Sequence, residues 1–170
     1  MLSMEPMRGV FPGSFDPLTV AHLAIADAAV RRFDLERLDL VISRLALAKD
    51  HAGHAPVEER VAAIDAVARA RRPWLHAVVT DKRLIADIAE GYDVCVLGSD
   101  KWHQLWDPTF YANSVAERDA ALARLPTLAV AARDGEQLPR DAAVVLLDIP
   151  PEHRGVSSTA VREGREDWRA

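Results

Sequence analysis

Three short stretches combine a glycine with hydroxyls, a carboxylate or a basic side chain. They are Gly13-Ser14-Phe15-Asp16-Pro17-Leu18-Thr19-Val20-Ala21-His22, Gly98-Ser99-Asp100 and Gly155-Val156-Ser157-Ser158-Thr159-Ala160-Val161-Arg162. Glycine allows the backbone close to a ligand, and main-chain amides at a helix start favour oxyanions. His22 and Arg162 add charged or donor groups, so the chemistry suggested is the holding of phosphates. Neither glycine pattern is a Walker A sequence, because no Gly-Lys-Ser/Thr follows, and neither is GxGxxG. That argues against a P-loop kinase, a GTPase and a dinucleotide-dependent dehydrogenase. Asp50, His51 and His54 lie close together, but the spacing matches no zinc signature and thiols are lacking, so no protein-bound metal is expected.

Strands alternating with helices must position these clusters. Gly9-Val10-Phe11 is a short apolar strand ending at the turn signal Pro12-Gly13, and a helical pattern follows from Val20 to Phe33. Leu38 to Ile42 reads as a strand and Arg44 to Ala55 mainly as a loop. Pro56 suits the first helical position, Glu58 and Glu59 suit the first turn, and Val61, Ile64 and Ala68 share a face. Arg69, Arg71 and Arg72 read as the solvated end of that helix.

Trp74 to Val79 is a strand, Asp81 a cap for a short helix to about Glu90, and Asp93 to Leu97 a buried strand. After the aromatic-rich segment Trp102 to Tyr111 come a helix from Val115 to Arg124 and two strands, Leu128 to Ala131 and Ala143 to Leu147. Ser157-Ser158-Thr159 can cap a last short helix. The alternation predicts an α/β fold, a Rossmann-like three-layer sandwich with a mostly parallel sheet. Ligands then bind beyond the carboxyl ends of the strands, where all three clusters fall.

Composition bounds the reading. The chain of 170 residues is expected to form one domain, residues 1–170, and 49% hydrophobic with 28% charged residues is ordinary for a folded protein. Lys+Arg 21 against Asp+Glu 26 leaves a net charge of -5, which argues against nucleic acid or a membrane surface as partner but allows a local basic pocket. The single cysteine, Cys95, sits in an apolar run and reads as a buried hydrophobe. No apolar run approaches a membrane span and the N-terminus lacks a signal-peptide pattern, so the expected location is cytoplasmic. Association with further copies of the chain stays open.

Gly9 to Pro17 with Thr19-Val20-Ala21-His22 resembles the N-terminal signature of the nucleotidyltransferase superfamily that carries a (T/H)xGH motif. Val156 to Arg162 resembles its C-terminal partner, ISSTxxR. Leu97-Gly98-Ser99-Asp100-Lys101-Trp102, followed by Trp106, is similar to the G-A/S-D-x-W stretch of nicotinamide or nicotinate mononucleotide adenylyltransferases. The likeness spans about residues 8–164 and is loose in its middle.

The resemblance implies transfer of a nucleoside monophosphate, usually AMP from ATP, to a small phosphorylated acceptor, with Mg2+ and release of pyrophosphate. It implies that Phe11, Gly13, Ser14, Phe15, Thr19, His22, Gly98 and Asp100 line the nucleotide and that Ser157, Ser158, Thr159 and Arg162 hold the β and γ phosphates. It makes His22, Lys49 and Arg162 the catalytic set, with Asp16, Lys49, Arg60 and Trp102 toward the acceptor. Attack by an already anionic phosphate needs no strong base, only alignment of two anions and neutralisation of the developing charge. His22 is therefore better cast as a hydrogen-bond donor to phosphate than as a general base.

Trp102, Trp106, Phe110 and Tyr111 either stack a base or pack beneath a loop. Thr19 occupies the first motif position, as in the phosphopantetheine branch. Ala21 replaces the motif glycine, no Pro-Pro-His-Lys run precedes Lys49, and the chain ends eight residues after Arg162, which bears on the acceptor contacts. A mononucleotide acceptor leads. Phosphopantetheine or another phosphometabolite follows, then a nucleotide-binding regulator without turnover. Lys49→Ala is expected to lower kcat strongly with an unchanged circular-dichroism spectrum; an unchanged rate removes Lys49 from the site.

Overall fold

The computed structural model describes residues 5–45, 54–133 and 144–170. Six strands form one sheet: β1 (Arg8–Pro12), β2 (Arg37–Ser43), β3 (Leu75–Thr80), β4 (Val94–Gly98), β5 (Thr127–Ala131) and β6 (Val144–Leu147). Their order is β3-β2-β1-β4-β5-β6, and every neighbouring pair is parallel. The helices are α1 (Val20–Phe33), α2 (Val57–Arg71), α3 (Ile85–Ile88), α4 (Ser99–Trp106), α5 (Val115–Ala123) and α6 (Ser158–Arg162). No helix among the described residues is long and apolar enough to cross a membrane.

Strand alternation assigns the two faces. Phe11, Leu38, Leu40, Ile42, Val94 and Val96 join Ile25 and Ala26 of α1 and Ile64 of α2 in one apolar layer. Val10, Val41, Cys95, Leu97 and Val130 point the other way, onto Ile85 and Ile88 of α3 and Trp102 and Leu105 of α4. Parallel strands covered on both faces need apolar side chains in both directions, as in Val94-Cys95-Val96-Leu97. Gly9 in β1 has a local reason: a Cβ there would lie 2.7 Å from Leu35 Cδ1 and 2.9 Å from Leu38 Cδ1. Cys95 is fully buried, and loss of solvation pushes its thiol up to about 12, which bears out the structural reading of that residue.

The structure departs from the sequence expectations at three local points. Asp81 does not cap α3, which is a single turn with Leu84 at its N-cap and no side-chain cap bond. Instead Ser43 Oγ donates to Lys82 O at 2.6 Å and Lys82 N–H to Thr80 Oγ1 at 3.2 Å. These bonds hold the chain in a turn beyond β3 and delay helix entry, while Asp81 pairs with Arg44 at 3.3 Å. Pro56 sits at the N-cap of α2, one residue before the helix. Arg72 is not a solvated end: its Nε and Nη2 donate to the two oxygens of Asp27 on α1, both at 2.9 Å, and this bidentate bond raises its pKa.

At the amino ends of the strands, Asp39 is 1% exposed on the face of β2 that carries Val41. It accepts from Tyr92 Oη at 2.5 Å and from Arg37 Nε at 2.6 Å, with Arg8 Nη2 at 3.7 Å. Burial, then the bond to Asp39, pushes the Tyr92 phenol up to about 12. Asp39→Ala strands these partners and is expected to cost about 3 kcal/mol of unfolding free energy, read in urea. A midpoint unchanged from wild type would refute that role.

Candidate functional site

The chain runs from β1 outward to β3 and then returns to β4 on the other side of β1, so the strand order reverses between β1 and β4. Open parallel sheets leave a crevice at the carboxyl ends of such strands. A cavity of about 570 Å³ lies there, walled by the ends of β1, β4 and β5, by α1 and α4, and by the segment from Ile149 to Arg162. The three polar clusters meet in it. Phe11, Gly13, Ser14, Phe15, Asp16, Thr19 and His22 come from the first, Gly98, Ser99 and Asp100 from the second, and Ser157, Ser158, Thr159 and Arg162 from the third.

Local geometry explains the first cluster. Gly13 N–H donates to Val41 O at 3.1 Å, the last rung of the β1–β2 ladder before the chain leaves the sheet. A Cβ on Gly13 would lie 2.8 to 3.1 Å from ring atoms of Phe15, so the absent side chain makes room for that ring. Phe15 has a positive φ of 47°, which a bulky residue rarely adopts, and the backbone there is strained. Its ring packs edge-on against Phe11 at 5.2 Å and His22 at 5.0 Å between centroids. The Asp16–Pro17 peptide is cis. Ala21, buried in the wall, carries its methyl group into this region.

Thr19 caps α1, and His22 closes the capping box from the third helical position. Thr19 N–H donates to His22 Nδ1 at 3.0 Å, with Thr19 Oγ1 also 3.0 Å from that nitrogen. A backbone N–H can only donate, so Nδ1 accepts and the neutral imidazole carries its proton on Nε2. The ring is thereby set as a donor at the cavity rather than a base.

At the third cluster, Ser157 caps α6 by accepting from Ala160 N–H at 3.1 Å, and Ser158 Oγ donates to Pro17 O at 2.8 Å. Arg162 donates to Asp16 O, and to Thr159 Oγ1 at 3.2 Å. Ser157 and Thr159 accept in these bonds, which leaves their hydroxyl protons to donate.

Two expected acceptor residues lie elsewhere. Trp102 is 2% exposed, packed into the apolar layer with Cys95 and Leu97 and edge-on to Trp106 at 5.5 Å. On α4 the residues at 102 and 105 face the sheet, and 100, 101, 103 and 104 face the cavity. Arg60, from α2, does not line the cavity and reaches main-chain carbonyls instead. Lys49, with Asp50 and His51, lies outside the described residues.

Lys101, His103, Arg133, His153 and Arg154 also line the cavity and were not picked out as site residues from the sequence. Arg133 stands just past β5 and pairs with Asp100 at 3.2 Å, so the carboxyl-end rule applied to β5 would have found it. Among the described residues, Lys101, Arg133, Arg154 and Arg162 line the cavity with Asp16, Asp100 and Asp107, a small basic excess in an acidic chain. Among the described residues, no group of three or more His, Cys, Asp or Glu side chains could hold a metal.

The sheet order and the crevice define a Rossmann-like α/β protein. Within that class the chain belongs to the cytidylyltransferase-like family, whose sequence pattern matches residues 10–164, and so to the nucleotidyltransferase superfamily. It is 42% identical over 62 residues to a phosphopantetheine adenylyltransferase of Clostridium kluyveri, covering 36% of this chain and 35% of that protein. It is 38% identical over 60 residues to a probable nicotinate-nucleotide adenylyltransferase of Methylorubrum extorquens, covering 35% of this chain and 32% of that one. The chain thus matches about a third of the length of these relatives. The fold is shared with Plasmodium falciparum nicotinic acid mononucleotide adenylyltransferase complexed with APC, at a TM-score of 0.68 and 15% identity, over 93% of this chain and 83% of that one.

One polar atom of the wall is unsatisfied. Ser99 is 1% exposed, and its Oγ is buried without a hydrogen-bond partner among the described residues. A buried orphan hydroxyl destabilises the fold, so Ser99→Ala is expected to raise unfolding free energy by about 1 kcal/mol, read from the denaturant midpoint. A lowered midpoint would show that Oγ has a partner in solution.

Proposed function

We propose that the protein is a nucleotidyltransferase that moves AMP from ATP to a small phosphorylated acceptor, nicotinamide or nicotinate mononucleotide in the first instance, and releases pyrophosphate. The observation that carries this reading is the convergence on one cavity of His22, held as an Nε2–H donor by Thr19, with Arg162 and the hydroxyls of Ser157 and Thr159. Family membership supports the reaction class, and the names of the partial relatives support adenylyl transfer.

In the proposed step, an oxygen of the acceptor phosphate attacks the α-phosphorus of ATP. The new P–O bond forms as the α–β bridging bond breaks, and its electron pair leaves with pyrophosphate. No proton need leave the nucleophile, so a donor histidine suits the reaction and a basic one is unnecessary. His22 and Arg162 steady charge on the non-bridging oxygens and the departing pyrophosphate. Mg2+, bound as the counter-ion of the triphosphate substrate, would supply further neutralisation of the charge on the departing pyrophosphate.

Phosphopantetheine is the second acceptor reading. Thr19 at the first motif position and the 42% identity over 62 residues with a phosphopantetheine adenylyltransferase favour it.

Pyrophosphate release, measured with each nucleoside triphosphate against a panel of phosphorylated acceptors, separates these readings. Release is expected with ATP and one mononucleotide. Release with CTP alone overturns adenylyl transfer, and ATP binding without release from any pair overturns the enzyme reading. In the active pair, His22→Asn keeps an acceptor for the cap but loses Nε2–H, and kcat is expected to fall by about a hundredfold.

A further inference from the structure

Asp16 and Arg60, the side chains that sequence resemblance directs to the acceptor, are both engaged on the protein itself. Asp16 is 5% exposed, and its Oδ2 lies 2.5 Å from His54 Nδ1. Ala55 N–H lies 3.4 and 3.3 Å from the two carboxylate oxygens. Arg60, on the first turn and a half of α2, donates from Nε to Ala55 O and from Nη1 to Ser14 O, each at 3.0 Å. The contacts close a ring: Ser14 to Arg60, Arg60 to Ala55, Ala55 and His54 to Asp16, and Asp16 back along the chain to Ser14.

This ring bridges residues 38 to 46 positions apart and fixes the loop on both sides of the strained Phe15. A carboxylate only accepts, and beside an anionic phosphate it repels. Its useful partners are therefore the protein's own donors. Arg60 supports the same conclusion, because it does not line the cavity and its two named bonds both end on carbonyls.

We propose that Asp16, His54 and Arg60 are positioning residues that clasp the Gly13–Thr19 loop to the entrance of α2, and that they set the geometry of the donor site instead of recognising the acceptor. His54 is the member that no family motif of the sequence marks. The inference builds on the nucleotidyltransferase reading, so its test includes a measurement that needs no turnover.

Amide hydrogen exchange across residues 13–19 of the whole chain, without ligand, is compared for wild type, His54→Ala, His54→Asn and Arg60→Ala. Steady-state kinetics and ATP affinity are measured on the same proteins. The clasp predicts that His54→Ala and Arg60→Ala speed exchange in the loop by about tenfold. They lower kcat and ATP affinity together and leave the acceptor KM within about twofold. His54→Asn places an amide N–H near the lost Nδ1 donor and recovers most of both effects.

A rise in acceptor KM alone, with loop exchange unchanged, overturns the proposal in favour of direct contact. So does an Asn variant no better than Ala. If wild type releases no pyrophosphate with any pair, the functional reading fails, while exchange and ATP affinity still decide whether the clasp exists. If Arg60→Ala does not fold, the two His54 variants carry the test.

Discussion

The arrangement of the site depends on how the main-chain carbonyls of one loop are held. Between β1 and α1 the chain must leave a buried strand, pass a left-handed Phe15 and enter a helix whose first turn carries His22. Ser14 O accepts from Arg60, Asp16 O from Arg162, Pro17 O from Ser158 Oγ and Leu18 O from Ala170 N–H. The donors come from α2, from α6 and from the residues after it. A loop with few bonds of its own becomes ordered because distant segments satisfy its carbonyls, and unsatisfied buried carbonyls would be costly.

This dependence gives the C-terminal motif two tasks. Ser158 and Arg162 brace the first loop while Ser157 and Thr159 keep hydroxyl protons to offer at the cavity, so bracing groups and remaining donors come from neighbouring residues of one short helix and its cap. The residues beyond α6 extend the brace: Thr19 and Arg169 form an antiparallel bridge, and Ala170 reaches Leu18. Arg169 and Ala170 are thus paired with the residues at the entrance to α1, which is a structural role that the family motif alone does not describe.

Charge follows the same economy of placement. The chain carries a net charge of -5, yet among the described residues the cavity wall holds four Lys and Arg against three Asp, with Arg133 and Asp100 paired to each other. A field of this kind is local, because interactions beyond about a Debye length of roughly 8 Å are screened at physiological salt.

Strand and helix order, and the meeting of the three polar clusters at strand ends, were legible from the sequence. Apolar runs such as Val94 to Leu97 and helical spacing from Val20 to Phe33 report burial that the chain's own periodicity imposes. What individual side chains do was less legible. The resemblance directed Trp102 to the acceptor, and only the register of α4 against the sheet placed it in the core. Arg72, Asp81 and Arg60 likewise took partners 37 to 46 residues away, which local patterning does not encode. The sequence by itself determined which main elements form and which stretches bring glycines, hydroxyls and basic groups to the strand ends, because those depend on residue type and short-range spacing. Only the tertiary structure decided which nitrogen of His22 bears the proton, which arginine braces the loop and which aromatic ring is buried. Those outcomes follow from hydrogen-bond partners and packing neighbours that are brought together by the folded sheet.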